Sequence, residues 1–234
     1  MELIYGGLLK AWTLLTTLDA TVFQVALLTI KVSGLATIVA LVIGIPVGTG
    51  LAFSRFQGHR IAVGVVNAGM GMPPVVVGLV VSILLWRSGM FGGLGLIYTP
   101  VAIVIGQVLI ALPVVTALTM AAMQQLDPAL RLQIRALGAS RWQSLIILMG
   151  EVKLSLLAVA MAGFGAAISE VGASMMVGGN IVGNTRVLTT ATVLEVSKGR
   201  FEMAIALSAL LVLIILVVNL TLTWSQQRAF RRDS

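Results

Sequence analysis

Long apolar runs alternate with short polar connections along this chain. A helix needs about 20 mostly apolar residues to cross the hydrocarbon core of a bilayer. Five runs reach that length, over residues 30–53, 61–86, 101–123, 154–176 and 203–224. Gly44, Pro46, Pro73, Pro74 and Pro113 fall inside them, which a bundle tolerates because neighbouring helices satisfy the freed backbone groups. Residues 1–29 mix apolar and polar positions around Lys10 and Asp19, and read as an interfacial or tilted helix rather than a sixth span. The expected layout is an N-terminal helix (1–29), a transmembrane domain (30–224) and a basic tail (225–234).

One stretch interrupts this pattern, QQLDPALRLQIRALGASRWQSL, from Gln124 to Leu145. Asp127 before Pro128 is an N-cap followed by proline at the first helical position. Leu130, Ile134 and Leu137 recur at helical spacing, with Arg131 and Arg135 on another face. Gly138 stands where a helix ends in a residue of positive φ. Ser140 with Gln143 three residues later is a capping box that opens a second helix. The spacing predicts an elbow over about 127–150: helix, tight turn, helix, with an outward apolar stripe that needs a partner protein or lipid headgroups to cover it. A solvated loop is the plainer alternative.

Composition confirms the medium. Of 234 residues, 59% are hydrophobic and 10% charged, against about 25% charged in soluble domains. The chain is therefore an all-α, polytopic membrane protein. Its net charge of +7 is explained by basic loops at one face of a bilayer, without nucleic acid. Five spans place Arg55, Arg60, Arg131, Arg135, Arg141, Lys153, Arg228, Arg231 and Arg232 on one side, and Lys10, Lys31, Arg87, Arg186, Lys198 and Arg200 on the other. The richer side is expected to be cytoplasmic, with the elbow and the C-terminus on it. There is no cysteine and one histidine, His59, so no metal site is expected. The opening MELIYGGLLK lacks the features of a removable signal peptide.

RALGASRWQSL resembles the cytoplasmic coupling motif of ABC importer permeases. Gly138 aligns with the motif's glycine, and Ala139, Ser140, Arg141 and Trp142 with its usual continuation. Leu132, Gln133 and Ile134 stand where that motif begins with Glu-Ala-Ala, and Gly150 and Glu151 replace its Leu-Pro pair. NAGMGMPPVVVGLVV, YTPVAIVIGQVLIALPVV and AISEVGASMMVGGNIVGNTRVLTTAT are similar to segments of oxyanion-importer permeases, the tungstate type first, with molybdate and sulfate permeases as relatives. The resemblance covers about residues 30 to 220. It implies a type I importer permease in the plasma (inner) membrane of a prokaryote, working as a homodimer. Two cytoplasmic ATPase subunits and an extracytoplasmic oxyanion-binding protein complete the assembly. No cofactor is expected, and the chain is a transport subunit rather than an enzyme. The residues agree, because a phosphate-binding P-loop needs glycine before its lysine. The four lysines follow Leu9, Ile30, Val152 and Ser197. A passive channel without an ATPase is the alternative from another class.

Three groups of residues carry the expected function. Arg135, Leu137, Gly138, Ala139, Ser140 and Arg141 form the ATPase-coupling elbow. Glu170, the one acidic residue inside a predicted span, is a gate or latch with Gly172 and Ala173, or else a hydrated interfacial glutamate. Asn180, Asn184, Thr185 and Arg186 belong to an outer mouth or translocation path, or else to a solvated turn. Met70 and Met72 read as packing residues.

Overall fold

The structure is a computed structural model that describes residues 2–17 and 19–233, with the side chains of 3–17, 19–224, 226 and 227. Arg228, Arg231 and Arg232, which carry the expected tail charge, have side chains outside the described residues. Among the described residues all regular structure is helical: α1 (Glu2–Thr16), α2 (Ala20–Phe53), α3 (His59–Met70), α4 (Pro74–Leu85), α5 (Pro100–Gln124), α6 (Pro128–Ala136), α7 (Arg141–Glu151), α8 (Lys153–Ile168), α9 (Gly172–Gly178), α10 (Leu188–Ser197) and α11 (Phe201–Asp233), with one 3-10 turn at Gly92–Leu94.

Three helices are long and apolar enough to cross a membrane alone: α2, α5 and the Phe201–Trp224 part of α11. Two further helix pairs are long and apolar enough only when taken together, each a broken crossing or a re-entrant loop. The α3–α4 pair turns by 103° and the α7–α8 pair by 74°. The predicted span 61–86 is therefore not a straight rod, and the predicted span 154–176 is interrupted as well. The first breaks at Gly71–Met72–Pro73, because a proline disfavours the helical conformation in the residue before it. The second stops at Ile168 and resumes at Gly172.

The N-terminal boundary also moves. Residues 20–29 are not part of the first helix; they open α2, which Asp19 caps by accepting a hydrogen bond from Val22 N–H. At 1.5 Å per residue, 34 residues span about 51 Å, well over the bilayer core. Lys31 thus sits inside a continuous helix. The shorter α1 packs along α11, with Gly7 against Ile205.

The centre of the bundle is the pair α2 and α5. Ala36, Ala40, Ala111, Val115, Val159 and Ala167 form a buried cluster where α8 joins them. Small residues set the spacing. A Cβ added at Gly48 would lie 2.4 Å from the Thr116 carbonyl oxygen, and one at Gly44 would lie 2.7 Å from a Val115 methyl. At one end of the bundle Ala122, Met123 and Val152 pack with Phe53 and Leu126, and Gln226 Nε2 donates to the Leu154 carbonyl at 3.0 Å. The elbow, the end of α2 and the C-terminal part of α11 therefore share an end. At the other end Tyr98 N–H meets the Val177 carbonyl at 2.9 Å, and Leu188 N–H meets Thr29 Oγ1 at 2.9 Å.

This packing makes two neighbouring glycines inequivalent. Gly48→Ala should lower stability by about 1–3 kcal/mol through overpacking, read as a lower unfolding temperature in detergent. Gly50→Ala should leave it unchanged, because nothing lies within 4 Å of the added carbon.

Candidate functional site

The elbow is built by local capping. Asp127 Oδ1 accepts from Ala129 N–H at 2.8 Å, which starts α6. At its end Gly138 N–H reaches the Arg135 carbonyl at 3.0 Å and Ala139 N–H the Ile134 carbonyl at 3.3 Å, with Gly138 at φ +79°. This bonding pair is a Schellman motif, which needs the left-handed residue that glycine supplies. Ser140 and Gln143 then exchange bonds, Gln143 Oε1 accepting from Ser140 N–H at 2.8 Å and Ser140 Oγ from Gln143 N–H at 3.3 Å.

The predicted apolar stripe divides in two. Ile134 is buried and Leu130 half-buried, because α6 folds back on the end of α2. Ile134 lines a cleft with Phe53 and Leu148. Only Leu137 of the three faces outward, and at 87% exposed it is the most exposed large apolar side chain among the described residues. Leu132 and Trp142 join it, at 68% and 75%. The guanidinium carbon of Arg131 stands 3.8 Å from the Phe53 ring centroid, a cation–π contact. Arg135, Arg141 and Ser140 are exposed, and Ala139 is half-buried.

The α3–α4 break and the α8–α9 break meet around one cavity of about 380 Å³. One wall is the α3–α4 break with Met70, Met72 and Pro73, and the other is the α8–α9 break with Ser169 and Glu170. Glu170 is thus not within a continuous helix, as a straight fourth span required; it lies at the break. It is buried, at 6% exposed, and its Oε1 accepts from Ala173 N–H at 2.7 Å. Its backbone carbonyl accepts from Thr189 Oγ1 at 3.1 Å, which ties the break to α10. Gly172 and Ala173 are tight contacts to α4. A Cβ on Gly172 would lie 2.8 Å from Val75 Cγ2, and one on Gly78 would lie 2.6 Å from Ala173 Cα. Glu170, Gly172 and Ala173 therefore come together as the sequence grouped them.

The outer-mouth residues separate into two roles. Asn180, at φ +51°, is the centre of a closed network. Its Oδ1 accepts from Arg186 Nε at 3.2 Å and Thr190 Oγ1 at 3.0 Å, and its carbonyl accepts from Arg186 Nη2 at 3.3 Å. Thr185 is fully buried, donating to the Gly178 carbonyl at 2.5 Å and accepting from Ile181 N–H at 2.9 Å. These bonds hold the loop's shape. Asn184 is exposed and shares with Arg186, Thr21 and Gln24 a surface hollow of about 350 Å³. Sequence reasoning missed Thr29, Thr189 and Thr190, the hydroxyls that fasten this loop and the start of α10. Their only signal was polarity inside an apolar context. Among the described residues no group of histidine, cysteine or carboxylate side chains could hold a metal ion.

Residues 20–232 match the family model of the binding-protein-dependent transport system inner membrane component. The chain belongs to this family. It is 38% identical over 219 residues to a tungstate uptake system permease protein of Peptoclostridium acidaminophilum, covering 94% of this chain and 96% of the relative. It is 36% identical to a probable anion ABC transporter permease protein of Haloferax volcanii, covering 84% and 87%. Molybdate and sulfate permeases are more distant relatives. Among solved structures, a chain of the inward-facing MetNI methionine ABC transporter superposes with a TM-score of 0.71 at 19% identity, covering 93% of this chain and 98% of that one. The fold is that of a type I ABC importer permease. The chain is an ABC transporter permease subunit, an inner membrane component with several membrane-spanning helices, and not an enzyme.

In this permease the bond between Glu170 and Ala173 can be tested without assuming its role in transport. Glu170→Gln keeps an Oε1 acceptor for the Ala173 N–H, while Glu170→Ala leaves that buried donor unpaired. The alanine variant should lose about 1–2 kcal/mol of stability and the glutamine variant little, measured by thermal unfolding of purified protein. Wild-type stability in both would remove the latch.

Proposed function

We propose that this permease is the membrane-spanning subunit of an ATP-driven importer for a tetrahedral oxyanion, tungstate in the first place. Two copies form a homodimer in the plasma (inner) membrane of a prokaryote. The elbow over 127–150 and the basic tail over 225–234 face the cytoplasm, where two ATPase subunits dock on Arg135, Leu137, Gly138, Ala139, Ser140 and Arg141. An extracytoplasmic oxyanion-binding protein delivers the anion near Asn184 and Arg186. The observation that carries this reading is the capped elbow at one end of a fold whose relatives include a tungstate uptake permease. Molybdate and sulfate are the alternative cargoes, since their permeases are related at lower identity.

The geometry supplies a route from elbow to cavity. Arg131 clamps α6 to the end of α2, and α7 leads through the bend into α8, whose far end reaches Glu170. ATPase closure pulling on the elbow would move α8 as a body and shift the break that lines the cavity. Glu170, Gly172 and Ala173 are the gate in this scheme. They work as a packing latch, because a carboxylate is a poor ligand for a divalent anion.

Liposomes containing the permease, its ATPase and its binding protein should accumulate tungstate only with ATP, and more readily than molybdate or sulfate. Accumulation without ATP would make the protein a channel. Gly138→Val forces a β-branched residue into positive φ, a strain of about 1–3 kcal/mol. That variant should insert normally yet lose binding-protein-stimulated ATP hydrolysis.

Sidedness has a separate check, because the chain has no native cysteine. In intact cells Asn184→Cys should react with a membrane-impermeant thiol reagent and Arg141→Cys should not. The reverse pattern would invert the orientation.

A further inference from the structure

Around its turn the elbow carries charge of one sign, its two carboxylates standing at the far ends, Asp127 capping the start of α6 and Glu151 closing α7. Between Pro128 and Gly150 the chain has Arg131, Arg135 and Arg141 and neither aspartate nor glutamate. All three arginines line one cleft of about 310 Å³. On the other side of α6, Arg131 and Arg135 line a second hollow of about 220 Å³ with Pro128 and Leu132. Among the described residues no carboxylate lies within ion-pair distance of any of them.

The three arginines are not equivalent. Arg131 is engaged with Phe53, so its function is to brace the elbow. Arg135 and Arg141 are exposed and have no side-chain hydrogen bond among the described residues. They flank the turn at Gly138, around whose added Cβ nothing lies within 4 Å. Leu137 and Trp142 stand beside them, both largely exposed. The turn is half apolar and half cationic.

Any partner that covers this turn strips water from two guanidinium groups. Desolvating a charge is costly unless an opposite charge and hydrogen bonds replace the water. A free anion would satisfy the arginines and leave Leu137 and Trp142 wet. A fluid headgroup layer holds no fixed partner against either half. A protein surface with placed carboxylates and an apolar pocket covers both. We infer that the ATPase surface receiving this elbow is an acidic socket: carboxylates facing Arg135 and Arg141, around an apolar pocket for Leu137 and Trp142. The inference rests on the coupling reading above and adds the chemistry of the partner. Near the turn, between Pro128 and Gly150, the elbow offers no acidic group to a basic socket.

The test measures the dissociation constant between the full-length permease, in nanodiscs of zwitterionic lipid, and its purified ATPase over a series of NaCl concentrations. Affinity should fall as salt rises. Arg135→Gln and Arg141→Gln should each weaken binding by about tenfold at low salt and flatten the salt dependence, whereas Arg135→Lys should retain most of both. Leu137→Ala should weaken binding while preserving the salt dependence, which separates apolar contact from charge. Thermal unfolding of each variant confirms that the permease is intact. Unchanged or tighter binding by the glutamine variants would overturn the acidic socket and leave the coupling reading in place, because the complex still forms. Arginine effects that emerge only in nanodiscs containing anionic lipid would assign the turn to headgroups and overturn it too. A wild-type pair that does not associate would refute the coupling reading and this inference together.

Discussion

A helix end inside a bilayer leaves up to four N–H or C=O groups without water to bond them. This permease interrupts two of its crossings, so the rest of the structure is arranged around satisfying those ends. At the α3–α4 break proline removes one donor, and the Pro73 carbonyl takes the Val76 N–H at 2.9 Å. At the α8–α9 break a carboxylate does the work, Glu170 accepting the Ala173 N–H. The two solutions face each other across one cavity. A continuous helix there would have filled the space with side chains; two capped ends leave room and can move relative to one another. The acceptor oxygen of Glu170 is thus explained by the backbone N–H it caps before any role in transport is considered.

The same economy of contacts explains why the small residues lie where they do. Ala173 is held between α4 and α5: Gly78 approaches its Cα, and a Cβ on Gly106 would lie 3.6 Å from its own. Helices in lipid gain little from the hydrophobic effect and associate through close packing, so a broken crossing with few buried residues needs this proximity. Larger side chains would hold α9 away from α4 and α5 and open the cavity wall. The latch is therefore a combination of one hydrogen bond and two close helix approaches, with Thr189 tying it to α10.

How much of this was legible in the sequence follows from the range of each interaction. The elbow was readable almost residue by residue, because its caps are formed between residues two to five apart. Which of its apolar residues face outward was not, because Ile134 is buried by Phe53 and Leu148, which the helical period of α6 does not contain. The long crossings α2, α5 and α11 were visible as apolar runs, though the mixed polar and apolar positions before residue 30 kept the first ten residues of α2 out of the first run. The α3–α4 break had a local signal in Gly71 and the two prolines that follow. The α8–α9 break had none beyond Glu170 itself, since no proline or run of turn residues marks it. The outer loop was the least legible. Asn180 and Thr190 bond across ten positions and Thr29 and Leu188 across 159, and no periodicity relates them.

The division of arginines at the elbow connects these scales. Arg131 faces inward to a ring at the end of α2, so motion of α6 is passed to the longest helix of the bundle as well as along α7 into α8. Arg135, one turn later, is exposed, with no hydrogen-bond or ion-pair partner among the described residues. A cation–π contact of this kind keeps its attraction as the ring slides beneath the charge, unlike a hydrogen bond with a narrow angular range. An elbow that must stay attached to α2 while its tip is pulled is better served by the first than by the second. The arginine–phenylalanine contact thus joins a rigid, locally capped elbow to a bundle whose two breaks are the places able to yield.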